Sequence, residues 1–595
     1  MKKENLSKIM DKTYFYFSNS AMYLMLLLIS ILIVPSILFL VNITLFKMIL
    51  PVIILLTSIV FILIKRKKWK EQLLSIIIGI IVFIVATSVI GQYYDSTADG
   101  NNYHKLAIGA MKNGWNPVWK SVADFGIEDG NVFDVSKDNV NQKWVDTYPK
   151  GSEIFGAVIY AFTDNIESGK VYNILFVYIG VVAIANILQK VKINRQNSLI
   201  IAFILSCNPI ILVQLTNYYL DGVLAITIFV TILGCMIQSS KLTEEQKKEN
   251  YFIIGSMIVW GISVKFTGVG YLAIFCLIFY LYNHIRNYKK EKIEYFKKAL
   301  VEDTIFYIIV VTIALGIVGS SSYLKNLIQY GHPLYPLYGE GKVESMVRKE
   351  MPISLHDNNQ LEIFLTSIFS KSENCIASYA GNESQPQLKI PFTFTKEEMN
   401  NFQIPDIRIG GFGVIFSGLM IFSIMLSIYM IINTITKKEY EELTKYVILL
   451  TTTISLLLFL EGNYWARYIP YFYLLVIYPL IYLMKQNIKI TRNIKVLVYI
   501  FSALCIINVM PILYVQYKEA TSNKEYIEIR KERFLNYIKA NIEQDEKIEI
   551  KLNHMGLQAI QYNLDDWNIK NIETVEKLES QNDVYMFIYA DKQTE

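Results

Sequence analysis

Cysteine is scarce in this chain of 595 residues, which has only five. Four of the five lie in apolar runs: Cys207, Cys235, Cys276 and Cys505. Only Cys375 lies in a loop, so the spacing indicates neither a disulfide framework nor a zinc site. The sequence also lacks an H-E-x-x-H motif, a Cys pair and a glycine-rich phosphate loop. A nucleotide-dependent or zinc-dependent mechanism therefore has no support.

Charged residues are also few, at 18%, whereas 53% of the residues are hydrophobic and the mean hydropathy is +0.33. The apolar residues form runs of about twenty, long enough to cross a bilayer core of ~30 Å as helices. The sequence therefore predicts a polytopic α-helical membrane protein. The net charge of +5 does not indicate a nucleic-acid partner, because the basic residues cluster between hydrophobic segments and are typical of topology determinants.

We predict about 13 transmembrane helices, because each apolar run is bounded by charged or turn residues. Their ranges are 21–41, 44–64, 72–91, 170–189, 197–214, 220–238, 251–264, 267–283, 303–320, 411–433, 445–460, 468–484 and 494–514. The segment from Ile154 to Phe162 is too short to span and is predicted to be a re-entrant or interfacial helix.

Lys- and Arg-rich segments fall on the side of the N-terminal lysines, which the positive-inside rule assigns to the cytoplasm. Together with abundant Ile, Lys and Asn, this predicts a multi-pass protein of a bacterial plasma membrane, with a cytoplasmic N-terminus and an extracytoplasmic C-terminus. Loops 92–153 and 321–408 then face outward. We predict an N-terminal membrane hairpin (1–71), a main transmembrane module (72–514) and a small extracytoplasmic α/β domain (515–595), whose strand-like runs are KIEIKL and VYMFIYA.

The first outward loop opens with YYDSTADGNNYHKLAIGAMKNGWNPVW, residues 93–119. Asp95 and Asp99 lie where a helix emerges into the head-group zone, so a carboxylate there can stay ionised and still reach a membrane-embedded substrate. The following residues predict an amphipathic helix along the bilayer, with Trp115 and Trp119 as interface anchors. Such a helix beside two carboxylates would form the floor of an outward-facing cavity.

Further segments follow in order, all on the predicted external side: WVDTYPKGSEIFGAVIYAF, LTNYYLDGVLAITIF, GISVKFTGVGY, YLKNLIQYGHPLYP and NYWARYIPYFYLL. With the first loop, they resemble the GT-C glycosyltransferases, the superfamily of protein O-mannosyltransferases and lipid A aminoarabinose transferases. The resemblance covers residues 72–484. It departs at three points: many relatives have Asp-Glu where this chain has Asp99-Gly100, some have lysine before the proline that Lys150 follows here, and two extra spans precede residue 72.

The resemblance implies an integral-membrane glycosyltransferase, a hexosyl- or pentosyltransferase, that moves a sugar from a polyprenyl-phosphate carrier to an extracytoplasmic glycan, lipid or protein with inversion. Asp99 is the best match to the catalytic carboxylate, and Asp95 is a second candidate. Arg467 would hold the donor phosphate with its fork of donors. Further residues are assigned to the donor phosphate (Lys150, Lys265 and Lys325) and to the acceptor or cavity (Tyr103, His104, Asp221, His332 and Tyr468).

Two aspects of the site stay open at this stage. A divalent ion, Mg²⁺ or Mn²⁺, is conceivable on Asp95, Asp99 and Asp221, although inverting transfer from a lipid phosphate can proceed without one. In addition, Asp406 and Arg408 precede a span in PDIRIGGFGVIF, at the end of a long loop predicted to be a lid or a binding element.

Two other functions are compatible with the sequence. A lipid-linked-glycan flippase or transporter would carry ionisable residues near the bilayer midplane, whereas nearly all of those here lie at span ends. A polysaccharide polymerase or ligase would use a lipid-pyrophosphate donor instead. The glycosyltransferase hypothesis depends on Asp99 and Arg467, distant in the chain, meeting around one lipid head group.

Overall fold

The computed structural model describes residues 2–65, 68–129, 140–238, 240, 242–290, 293–343, 346–374, 385–486, 490–541, 548–550, 559–569 and 572–574. In the first half of the chain the helices are α1 (Lys2–Leu40), α2 (Ile49–Ile64), α3 (Trp69–Ile90), α4 (Lys105–Lys112), α5 (Val122–Asp129), α6 (Val140–Thr147), α7 (Gly151–Thr163), α8 (Tyr172–Lys190), α9 (Arg195–Ser206), α10 (Pro209–Leu212), α11 (Asp221–Ile237), α12 (Glu244–Val264) and α13 (Phe266–Lys290).

The second half continues with α14 (Ile293–Val311), α15 (Lys325–Tyr330), α16 (Met346–Lys349), α17 (Gln360–Phe369), α18 (Lys396–Asn401), α19 (Phe416–Thr436), α20 (Tyr440–Phe459), α21 (Pro470–Lys485), α22 (Arg492–Asn541) and α23 (Ile560–Asp566). Two short parallel strands, β1 (Ile548–Ile550) and β2 (Ile572–Thr574), pair in the tail. Single turns of π-helix lie at Gly100–His104, Thr312–Val318 and Ser320–Leu324, and 3₁₀ turns at Ile166–Val171, Ile353–Leu355 and Ala466–Tyr468.

The chain is an α-helical membrane protein. Within the described residues, eight helices are long and apolar enough to cross a membrane; they lie in α1, α3, α8, α13, α14, α19, α20 and α22. Every range predicted to span coincides with a helix, but α9 has only 12 residues. At 1.5 Å per residue it is about 18 Å long, short of the ~30 Å hydrocarbon core. The number of crossings, 13, therefore stays a prediction.

The break after α9 has a local cause. The Asn208 side chain accepts hydrogen bonds from the backbone N–H groups of Ile210 and Ile211, and Pro209 occupies the first helical position. An asparagine cap followed by proline starts a new helix, because proline needs no N–H partner there. The predicted span 197–214 is therefore interrupted by a second helix start.

Two short helices, α4 in the first loop and α7 directly after it, are enclosed by the rest of the chain. Residues 105–111 of α4 and 151–161 of α7 are all buried. The prediction of an amphipathic helix lying along the bilayer is therefore wrong for α4, because even Lys105 is fully covered and paired with Glu167. Trp115 is likewise buried, whereas Trp119 is 60% exposed.

Helix α22 runs through residue 515, the predicted start of the C-terminal domain, and ends at Asn541. Beyond it, Tyr562 of α23 joins the core that extends from α1 to α22. The predicted strand run KIEIKL contains β1, and the run VYMFIYA lies outside the described residues.

Candidate functional site

The Arg467 guanidinium is the centre of a cluster of charged side chains from five distant segments. Its Nη1 lies 3.6 Å from Asp221 Oδ2 and 4.0 Å from Asp99 Oδ2, and its Nε lies 3.1 Å from Asp406 Oδ1. The structure thus brings Asp99 and Arg467 together, as the hypothesis requires. We call Asp99, Asp221, Lys265, Asp406 and Arg467 the Arg467 cluster.

Helix ends position this cluster at one end of the bundle. Asp221 is the first residue of α11, and Arg467 lies in the 3₁₀ turn that precedes α21, which begins at Pro470. Lys265 lies in extended backbone at the junction of α12 and α13. Since these helices pack on one another, their polar ends meet without placing charge in the apolar core.

Asp221 is held by its own partners. Its carboxylate forms an ion pair with Lys265 and accepts a hydrogen bond of 3.2 Å from Gln214 Nε2. The Asp221 side chain is only 2% exposed, whereas the Asp99 side chain is 34% exposed. Asp99 is therefore the carboxylate of the two that a ligand can reach.

Aromatic rings surround the guanidinium. The Arg467 Cζ lies 4.0 Å from the Trp465 ring centroid and 5.2 Å from those of Tyr219 and Tyr468. Lys265 Nζ lies 4.6 Å from the Tyr468 ring. Aromatic faces attract cations electrostatically, so these rings fix both positive groups and cover them from bulk water.

Asp406 is the member that sequence analysis did not include among the site residues. It lies between α18 and α19, in a segment anchored by backbone hydrogen bonds of 3.0 Å between Glu373 and Ile409 and by the Arg408–Glu350 ion pair. Burial raises the pKa of Asp406 to about 6; Arg467 lowers this pKa and Asp99 raises it. Its sequence signal was a carboxylate immediately before a span, in PDIRIGGFG.

Asp99 lies immediately before the π-turn Gly100–His104, and π-turns are frequent at functional sites. A Cβ on Gly100 would lie 2.0 Å from Asp95 Oδ2. No larger residue fits there without movement, so the close approach of Asp95 favours glycine at this position. Tyr103, in the same turn, is partly buried, and burial together with the Asp99 charge raises the pKa of its phenol.

Asp95 lies outside the Arg467 cluster. It is 1% exposed, and its two carboxylate oxygens accept hydrogen bonds of 2.8 Å from the backbone N–H groups of Thr97 and Tyr218. These bonds join the first loop to the segment before α11. Asp95 therefore has a positioning role. Its carboxylate is not directed toward Asp99, the carboxylate that a ligand can reach.

Lys150 and His104 are buried in a second polar group beside the cluster. Lys150 Nζ donates to the Tyr148 carbonyl at 2.5 Å, and burial lowers the pKa of Lys150 to about 8. His104 Nδ1 lies 2.8 Å from Glu153 Oε1. The His104–Glu153 contact holds α7 against the first loop, whereas the Lys150 contact is local to the start of α7.

The remaining predicted residues belong to the loop after α14. Lys325 Nζ donates to the carbonyls of Pro117 (2.8 Å) and Lys120 (3.1 Å). His332 Nδ1 accepts from the Leu334 N–H at 3.1 Å. The structure therefore does not bring Lys325 and His332 to the Arg467 cluster.

The three predicted metal ligands, Asp95, Asp99 and Asp221, do not form one group either. Asp95 is engaged elsewhere, and Asp221 is paired with Lys265. Over the ranges that the structure describes, no three His, Cys, Asp or Glu side chains form a group that could hold a metal ion.

Fold and site together define an α-helical membrane protein with a charged, partly accessible cluster at one end of its bundle. No protein-family model matches the chain, and neither a curated protein nor a solved structure matches it.

Proposed function

We propose that this chain is an integral-membrane glycosyltransferase of the GT-C type, with 13 crossings, that transfers a sugar from a polyprenyl-phosphate donor to an acceptor outside a bacterial plasma membrane. The observation that carries the proposal is the contact between an accessible carboxylate, Asp99, and an aromatic-enclosed guanidinium, Arg467. Resemblance of the segments around both residues to the GT-C glycosyltransferases adds support.

In the proposed reaction, Asp99 takes the proton from the acceptor hydroxyl as its oxygen forms a bond to the sugar C1. The bond from C1 to the phosphate oxygen breaks, and its electron pair leaves with the polyprenyl phosphate. The phosphate thereby gains one negative charge. Arg467 offsets that charge with planar, charge-assisted hydrogen bonds, which are about twice as strong as neutral ones.

Arg467 can exchange partners for a phosphate. Its Nε and Asp406 Oδ1 are buried, and neither atom makes a hydrogen bond to any described residue, although they lie 3.1 Å apart. The contact between Arg467 and Asp406 is therefore an ion pair without a hydrogen bond between these two atoms. A phosphate oxygen that meets the guanidinium in its plane would bond better than Asp406 does.

The charge balance assigns a role to Asp406. When all three carboxylates of the Arg467 cluster are ionised, they exceed the positive charges of Arg467 and Lys265 by one. An entering phosphodiester is then repelled. Protonation of Asp406, whose pKa is about 6, removes the excess charge and frees Arg467 for the donor.

The test compares lipid-linked sugars and surface glycans by mass spectrometry in cells with the gene, without it, and with an Asp99→Asn variant. We expect the variant to lose about 10²–10⁴-fold in transfer rate, the usual contribution of a positioned base. The carrier-linked sugar should accumulate while one surface decoration disappears. The exposed Asp357 provides a matched control, and Asp357→Asn should transfer at the wild-type rate.

Normal decoration by a well-folded Asp99→Asn protein would contradict the proposal. Accumulation of a lipid-pyrophosphate oligosaccharide would favour the polymerase or ligase instead.

A further inference from the structure

A cavity of about 290 Å³ lies between the tail and the first loop, away from the Arg467 cluster. Helix α22 forms one wall, the end of α23 the second, and the residues after α3 and α7 the third. Its size is close to the lower limit of typical ligand pockets, ~300 Å³, which suits a single small ligand.

The wall of this cavity is mainly polar. It presents amide groups from Gln92, Asn165 and Asn563, carboxylates including Asp566, and the rings of Tyr94 and Trp567. A polar cavity holds water or a polar ligand, whereas an apolar packing defect stays dry. The cavity is therefore suited to a hydroxyl-rich molecule.

The charged groups around the cavity carry no net positive charge. The wall has three carboxylates, Asp164, Glu528 and Asp566, and two ammonium groups, Lys524 and Lys531. Lys531 Nζ lies 3.5 Å from Glu528, and Lys524 Nζ donates to the neutral Gln92 Oε1 at 2.8 Å. Because the ammonium groups do not outnumber the carboxylates, the wall does not favour a phosphate or other anion.

The two aromatic rings fit a neutral sugar. The Tyr94 and Trp567 rings lie 6.2 Å apart at 77°, an edge-to-face pair in which an apolar C–H face of a sugar ring can pack on an aromatic surface. Asp566 Oδ2 accepts from the Ile166 N–H at 2.8 Å, and its Oδ1 is enclosed by protein, so this carboxylate holds the wall of the cavity in place.

We propose that this cavity is a binding site for one neutral monosaccharide unit, packed on Trp567 and hydrogen-bonded by the amides and carboxylates of the wall. The site does not depend on the proposed transfer chemistry. It shares no lining residue with the Arg467 cluster, and binding there needs no lipid donor.

The experiment uses the full-length protein in lipid nanodiscs, because detergents with sugar head groups would compete. The probes are the methyl glycosides of glucose, galactose, mannose and N-acetylglucosamine, followed by saturation-transfer difference NMR. We expect saturable binding of at least one glycoside. Trp567→Ala should weaken it about tenfold, roughly the value of one aromatic contact.

Three further variants make the result decisive. Trp69→Ala removes an exposed tryptophan far from the cavity and should not change the dissociation constant. Lys524→Ala alters the rim on the surface of α22 without touching the core, and should weaken binding severalfold even if Trp567→Ala perturbs the tail. Asp99→Asn should bind the glycosides as the wild type does, which separates this inference from the proposed function.

Absence of binding by all four glycosides would overturn the proposal. Equal dissociation constants for wild type, Trp567→Ala and Lys524→Ala would also overturn it, and so would saturable binding of inorganic phosphate at the same residues.

Discussion

Arg467 contacts more functional groups than any other predicted site residue discussed above. Three carboxylates lie within 4.0 Å of its guanidinium, and the nearest aromatic ring centroid lies 4.0 Å from its Cζ. A lysine at this position would keep the charge but lose the plane and the fork of donors. The shape of the cation, and not only its charge, is therefore what the proposed phosphate site requires.

An Arg467→Lys variant tests that requirement. We expect kcat/KM for sugar transfer to fall by about 10²-fold or more, the usual effect of removing a preorganised donor from a charged transition state. Arg195→Lys is the matched control, because Arg195 pairs with Asp11 and lies outside the cluster. Equal transfer by the Arg467→Lys and Arg195→Lys proteins would show that planar recognition is not used.

The proposed role of Asp406 predicts that donor binding depends on pH. Its pKa of about 6 lies above that of a free aspartate because burial disfavours the charged form, so the carboxylate ionises as the pH rises through 6. Ionisation restores the pairing with Arg467 and adds a negative charge. We expect KM for the lipid donor to rise severalfold between about pH 5 and about pH 8.

Asp406→Asn removes the titrating group and should give a low donor KM across the same pH range. The comparison is made on initial rates with saturating acceptor. A variant that keeps the wild-type pH dependence of KM would assign it to another group.

At the scale of elements, the π-turn after Asp99 depends on close contact with Asp95. Gly100→Ala would place its Cβ 2.0 Å from Asp95 Oδ2 and 2.7 Å from the Asp95 Cγ. Overpacking of this kind costs about 1–3 kcal/mol. We expect a lower thermal transition of the purified protein together with reduced transfer.

Gly270→Ala is the control for that change, because no atom lies within 4 Å of a Cβ built there. The Gly270→Ala protein should melt at or slightly above the wild-type temperature, because alanine is the better helix former. Identical transitions for both variants would mean that the Asp95 contact does not constrain the turn.

The spans could be predicted from the sequence because an apolar run of about twenty residues is long enough to cross the hydrocarbon core as a helix. The sequence Asn208-Pro209 also indicates the start of α10. The prediction missed it because apolar residues on both sides made the segment look like one continuous span. Burial of α4 could not be predicted. It depends in part on Tyr562, more than 400 positions later, whose ring would contact any side chain placed at Gly109.

Within the site, Asp99 and Arg467 could be predicted because each lies beside a span in a recognisable segment. Asp406 was visible as a charge before a span, but its approach to Arg467 depends on the Glu373–Ile409 contact across a long loop. Conversely, Lys325 and Asp95 look functional in sequence but bind backbone groups. Charge at a span end indicates a site only when the fold leaves that charge without such partners.

At the scale of the whole molecule, the tail and the cluster are connected through buried contacts. Asn563 of α23 donates to Glu167 at 3.2 Å, Glu167 accepts from the Asp95 N–H at 2.9 Å, and Asp95 binds the Tyr218 N–H. Tyr219, next in the chain, lies against Arg467. The end of the bundle that holds the cluster is thus also the end on which the tail docks.

The orientation of this end in the membrane can be tested on α20. The helix has 20 residues and is about 30 Å long, the thickness of the hydrocarbon core. Exposed residues flank it: Lys437 before its start and Glu461 after its end, close in sequence to Arg467. The two flanking positions should therefore lie on opposite sides of the bilayer.

Single cysteines introduced at these two positions show directly on which side of the membrane each position lies. The native cysteines Cys207, Cys235, Cys276 and Cys505 are buried, so a Cys375→Ser background suffices. In intact cells we expect a membrane-impermeant maleimide to label Glu461→Cys and not Lys437→Cys, with both labelled after permeabilisation. The background protein should stay unlabelled. Labelling of position 437 with protection of position 461 would place Asp99 and Arg467 in the cytoplasm, where transfer to a surface acceptor is impossible.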